Sequence, residues 1–212
     1  QSVSQTEGRT VLFVSHNLPA IQSLCTRALL LRNGMVAHSG DVESAVHLYL
    51  NEGGGPAVAT PWRYRARSAE MKITRVELMS NGVATEAILA GQHCTFVIHY
   101  ECCNPGRFGK GIGVSIVLKS DEHKIVNLWS VYQPTLMVVP DTTGTIECHL
   151  QTWPFREASF TVDVYTHVGD STIEWIEGCL AFASHDGDFY GVGRLSNPGE
   201  GILFIPQRWD SR

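Results

Sequence analysis

The chain has 212 residues, 43% of them hydrophobic and 17% charged, with a formal net charge of -5 and a pI near 6.0. This is a globular composition, long enough for one large domain or a domain plus a fragment, and it argues against a nucleic-acid partner, which would need a clustered basic face. No apolar run approaches the roughly 20 residues of a membrane-spanning helix, so any membrane passage is expected from another subunit.

Val11 to Val14 is a short apolar run between Gly8 and the polar Ser15, His16 and Asn17. It predicts a strand buried on both faces, as in a parallel sheet covered by helices. Ligands of open α/β sheets sit beyond the carboxyl ends of the strands, which is where His16 falls. Asn17 can cap a helix whose first turn holds Pro19, with Ala20, Ile21 and Leu24 on its apolar face. Ala28 to Leu31 is a second apolar run, Asn33 and Gly34 are a hairpin turn pair, and Met35 to Ser39 returns antiparallel. Asp41 then caps a helix with Val42, Ala45, Val46, Tyr49 and Leu50 on one stripe. Residues 52–70 carry three consecutive glycines, two prolines and no apolar period, the composition of a linker. Trp62 and Tyr64 within it either pack on a neighbouring domain or face solvent.

From Met71 the period switches to two. Phe96, Ile98 and Tyr100 alternate with polar or smaller neighbours, as do Val114, Ile116 and Leu118. Further strands are predicted at 125–130, 145–150, 160–166, 173–182 and 202–205. Turn clusters separate them, among them Asn81 with Gly82 and Asp141 to Gly144. Several short strands at this spacing, without helices between them, predict an antiparallel β-sandwich, Ig-like or jelly-roll. The division expected is therefore 1–51, an α/β piece; 52–70, a linker; and 71–212, the sandwich. The chain does not begin with Met and shows no signal-peptide pattern, which predicts a piece of a longer cytoplasmic protein. The six cysteines include no CxxC spacing and no His spacing that completes a zinc site, so reduced thiols and no metal are expected.

Two stretches carry family resemblances. GRTVLFVSHN, LCTRALLLRNG and VAHSGDVESAVHLYL, in that order, resemble the last part of an ABC-transporter ATPase domain. That likeness implies that His16 is the switch histidine, which contacts the γ-phosphate of ATP in the intact enzyme. GIGVSIVLKSDEHKIVNLWSVYQP, SFTVDVYTH and DFYGVGRLSNPGEGILFIPQRW resemble the C-terminal domain of Wzt-type subunits, the ATP-binding subunits of ABC exporters of polysaccharides such as O-antigen. In some members the appended sandwich binds the exported glycan at its non-reducing end. The resemblance implies a membrane-spanning permease partner, a homodimer, a place at the inner face of the cell membrane, and ATP with Mg as cofactor of the intact subunit. No GxxxxGK[ST] phosphate loop, LSGGQ-like signature or Walker B strand end occurs in these residues. The chain alone is thus expected to hold no cofactor and to hydrolyse no ATP.

Sugars are bound by aromatic faces flanked by carboxylates and amides. With Phe160, Val162 and Val164 inward, Thr161, Asp163, Tyr165 and His167 point out; with Val126 and Leu128 inward, so do Asn127 and Trp129. Trp175 lies between Glu174 and Glu177, and Trp153 lies near Arg156. Trp129, Asp163, Tyr165, Asn127 and Trp175 are the candidate glycan contacts. Each aromatic is also open to reading as packing at a sheet edge or a dimer interface, and the sandwich to reading as a dimerisation or regulatory domain only. Asp163, Glu174 and Glu177 also supply carboxylates of the kind a glycosidase needs, at separations the sequence does not set.

Overall fold

The computed structural model describes residues 10–15, 18–51, 62–109, 111–121, 123–135, 137–139, 141–193, 195 and 201–210. The N-terminal part consists of α1 (Leu18–Leu24), the antiparallel hairpin β1 (Ala28–Arg32) and β2 (Met35–Gly40), and α2 (Val42–Asn51). Asn33 and Gly34 both take positive φ, 49° and 78°, as a type I′ hairpin turn requires. At the start of α2 the Ser44 amide donates to Asp41 Oδ1 at 2.8 Å, and this bond holds the Asp41 carboxyl below its usual range. Val42 and Val46 are buried with Leu89, and Leu18, Ile21, Cys25, Ala28 and Leu50 pack around them. Tyr49 is exposed, so the buried stripe is narrower than the pattern predicts.

Val11 to Val14 is not the buried strand expected. All four residues are exposed and none is in a strand, because β1 and β2 pair with each other and none of the described strands lies beside the run. His16 lies outside the described residues.

The remainder is an antiparallel sandwich. Its strands are β3 (Arg63–Arg67), β4 (Met71–Ser80), β5 (Val83–Ala84), β6 (Ala87–Leu89), β7 (Cys94–Cys102), β8 (Gly113–Ser120), β9 (His123–Trp129), β10 (Thr143–Leu150), β11 (Ala158–Val168) and β12 (Ser171–His185). One sheet runs β10-β7-β4-β5 and the other β3-β12-β11-β8-β9. The short β6 adds to β12 in parallel, Ala183 opposite Ala87. The first strand of the larger sheet falls inside the predicted linker: β3 pairs with β12, Arg67 opposite Glu174 and Arg63 opposite Glu177. The glycines and prolines just before it hide the short alternation of RYRAR. The strand expected at 202–205 reduces to one bridge, Leu203 to Phe155, with Phe204 buried behind it.

Alternation sends Ile73, Val76 and Leu78 of β4, Phe96 and Ile98 of β7, Ile116 and Leu118 of β8, and Phe160, Val162 and Val164 of β11 into one core. Trp153, from the β10 to β11 connection, is fully buried there. It touches Phe155, Phe182 and Phe160 at ring separations of 5.0, 5.4 and 5.5 Å, and its Nε1 donates to Ser184 Oγ at 2.7 Å. Its loop position in sequence concealed a core role, and it does not face a ligand. Trp153→Ala is expected to lower the unfolding free energy by about 3–5 kcal/mol in urea titrations; a loss near zero would place the core elsewhere.

Candidate functional site

The register of the larger sheet brings three of the candidate aromatics into one row. Trp175 of β12 stands opposite Tyr165 of β11, Tyr165 opposite Ser115 of β8, and Ser115 opposite Trp129 of β9. Because Ser115 is small and fully buried, the Trp129 ring reaches across it to Tyr165, centroid to centroid 5.8 Å at 74°. Tyr165 meets Trp175 at 6.0 Å and 82°. These edge-to-face contacts are the arrangement that ring quadrupoles favour. His167 joins the group, stacked on Tyr165 at 5.5 Å and against Trp129 at 5.8 Å. Its imidazole lies directly over Gly113, where a Cβ would fall 2.1 Å from Nε2. The rings are half-buried, and the Tyr165 hydroxyl is 3.3 Å from Thr172 Oγ1. Asn127 sits one pair along from Trp129, and its Oδ1 accepts from the Ser115 hydroxyl.

Beside this row runs a strip of ion pairs. Asp163 is buried, in contrast to its expected role as an open hydroxyl acceptor. Its carboxylate is paired with Lys119 and accepts the Gly178 amide at 3.0 Å. The physical reason is the bulge at Asp163, where β12 offers an amide to the carboxylate instead of a ladder partner. Glu177 accepts from Arg65 Nε at 2.7 Å, and the same guanidinium lies 4.8 Å over the Trp175 ring. Trp175 thus holds a cation on one face. Glu174 points to the other side of the sheet, fully buried, so it belongs to no common site with Asp163 and Glu177. A concavity of ≈ 360 Å³ opens away from the row between Ile125, Phe155, Phe160 and Ile202. Its charged residues are Arg156, Glu157 and Asp186; Arg156 and Asp186 bind each other at 2.5 and 3.2 Å, and Arg156 holds the Asp186 carboxyl below its usual range.

Among the described residues, no group of His, Cys, Asp or Glu has the arrangement of a metal site, and no helix is long and apolar enough to cross a membrane. Burial raises the thiols of Cys94, pushed up to about 12, and of Cys148 and Cys179, which makes them poor nucleophiles.

No protein-family profile matches the chain. A crystal structure of the C-terminal domain of Wzt superposes on 79% of this chain and 95% of that one, with a TM-score of 0.56 at 10% sequence identity. The fold is that of the Wzt C-terminal domain. At this identity the likeness carries the architecture and no individual residue. The teichoic acids export ATP-binding protein TagH of Bacillus anthracis is 42% identical over 43 residues. That match spans 20% of this chain and only 8% of TagH.

Within this Wzt-like sandwich, three contributors to the site escaped the sequence reading. Arg65 lies within residues 52–70, whose composition predicts a linker. Ser115 reads in sequence only as a polar neighbour in an alternating strand and Gly113 has no reading of its own, although their smallness lets Trp129 and His167 lie across β8. Their signal was a small residue in the outward phase, which becomes meaningful once β8 is known to lie between β9 and β11.

Behind the row, Glu174 Oε2 accepts the Ile73 amide of the facing sheet at 2.6 Å, while its Oε1 has no hydrogen-bond partner among the described residues. Desolvation raises the carboxyl pKa, against the opposing pull of the Ile73 amide. A raised folded-state pKa means that the group's stabilising contribution is complete below the unfolded carboxylate range and is lost as pH rises through the folded value. Glu174→Gln keeps an acceptor for Ile73 without the buried charge. Its melting temperature is expected to exceed that of the parent at pH ~8 and to converge with it by pH ~4. A deficit for Gln at pH ~8 would mean that the Ile73 bond depends on the charge.

Proposed function

We propose that this chain is part of the ATP-binding subunit of an ABC exporter of a cell-surface polysaccharide, and that the outer face of its larger sheet binds the exported glycan at its terminus. The observation that carries the proposal is the aromatic row of Trp129, Tyr165 and Trp175, assembled from three strands on one half-exposed face. Such rings offer apolar faces to sugars, and Asn127 and Thr172 stand beside them as hydrogen-bonding groups. The fold of the Wzt C-terminal domain and the local likeness to an export ATP-binding protein support the setting. In the intact subunit, ATP with Mg drives the permease, His16 senses the γ-phosphate, two copies close on the nucleotide, and the assembly sits at the cytoplasmic side of the membrane. The sandwich supplies selectivity by holding only glycans with the right end.

Calorimetric titration of the chain with candidate export polysaccharides tests this. Trp129→Ala and Tyr165→Ala are each expected to weaken binding about five- to hundred-fold, the worth of one stacking ring. Their cost in stability should be that of the two ring contacts of Trp129 and the three of Tyr165, at roughly 0.5–1.5 kcal/mol each at most, and stay below that of the fully buried Trp153→Ala. Intact glycan binding with a shifted monomer–dimer equilibrium in sedimentation would instead assign the row to dimerisation.

A further inference from the structure

We propose that the glycan held on this face carries negative charge, as phosphate or carboxylate, and that Arg63, Arg65, Lys119 and Lys124 contact it; the inference rests on the glycan-binding reading above. The ion pairs beside the aromatic row are layered. The Arg65 side chain is 57% exposed over a Glu177 that is 15% exposed, and Lys119 is 22% exposed over an Asp163 that is 5% exposed. In both pairs the carboxylate lies beneath and the cation outermost, so an arriving molecule meets the cations. Arg65 spends its Nε on Glu177 and its flat face on Trp175, which turns the remaining guanidinium edge, free of partners among the described residues, outward in the geometry suited to oxyanions.

Two further cations have no described counter-ion. Arg63 stands opposite Glu177, whose carboxylate Arg65 already holds. Lys124 stands directly opposite Lys119. Like charges facing each other across a ladder are destabilising; Asp163 is bound to Lys119, and no ion pair to Lys124 occurs among the described residues. An oxyanion between the two lysines would relieve that repulsion. Glu177, which carries Arg65, lies two residues along β12 from Trp175, about 6.6 Å, within reach of a charged substituent on a sugar stacked against the rings; Lys119 and Lys124 lie four ladder positions from the Ser115–Trp129 pair, about 13 Å, where they would meet a charged group on a neighbouring unit of the same glycan. The concentration of cations here stands against a chain charge of -5, which disfavours long, dense polyanions and leaves a short charged segment as the fitting ligand.

The test titrates the full chain at about 50 and about 300 mM salt with oligo(glycerol phosphate), oligogalacturonate, neutral manno-oligosaccharide and a single-stranded oligonucleotide of matched length. One or both charged sugar-type oligomers should bind best, roughly ten-fold more weakly at the higher salt, and which of them binds distinguishes phosphate from carboxylate. Lys124→Gln and Arg65→Gln should each weaken that binding about two- to five-fold and flatten its salt dependence. Lys124 is exposed and has no ion-pair partner among the described residues, so its variant keeps the fold, as its melting temperature will show. Equal binding of the neutral oligomer without salt dependence overturns the charge inference and leaves glycan binding standing. Binding of the oligonucleotide as tightly as of either charged oligomer overturns it as generic polyanion attraction. Absence of binding by all the sugar-type oligomers removes the glycan reading as well.

Discussion

The register of β11 between β8 and β12 is the constraint on which the rest of this structure depends. Phe160, Val162 and Val164 send that strand's apolar side into the core, and a slip by one residue would exchange the two faces. With the register set, Tyr165 is opposite Trp175 on one side and Ser115 on the other. The aromatic row is therefore a by-product of core packing: the residues that bury themselves decide where the residues that bind will stand. The bulge at Asp163 has the same origin. It frees an amide of β12 for the Asp163 carboxylate, which turns an outward acid into a buried anchor for Lys119.

The sheet is polar within as well as without. Thr166 and Glu174, between residues of the row, face the interior and are fully buried; the Glu174 amide donates to Thr166 Oγ1 at 3.1 Å, and the Glu174 carboxylate receives the Ile73 amide of the opposite sheet. This polar link between the two layers lies directly behind the rings. An oxygen in that position without a partner among the described residues costs stability, and apolar packing does not account for it.

The N-terminal residues stand in a different physical situation. Their α1, hairpin and α2 close a small cluster on Leu89, yet Val11 to Val14, Leu29, Leu31, Met35 and Val36 remain exposed. Apolar surface of that extent is the mark of an unmet interface. It agrees with the proposal that this segment works as part of a larger ATP-binding subunit.

What the amino-acid order determined by itself was local and periodic. The alternation in β9 and β11 named their inward and outward residues, and so named Trp129 and Tyr165 as facing away from the core. The Asn33–Gly34 and Asn81–Gly82 pairs marked their turns, because few residues tolerate positive φ. Asp41 marked the start of α2. Tertiary structure alone decided which strands are neighbours, and everything that depends on adjacency followed from it. Trp153 became core because its loop folds across the open end between the layers; Asp163 was closed off because β12 bulges beside it; Arg65 entered the site because β3 extends the sheet. Period-two patterning specifies a face but no partner, since any strand with the same pattern can pair with any other. Only the packed sheet chooses among them.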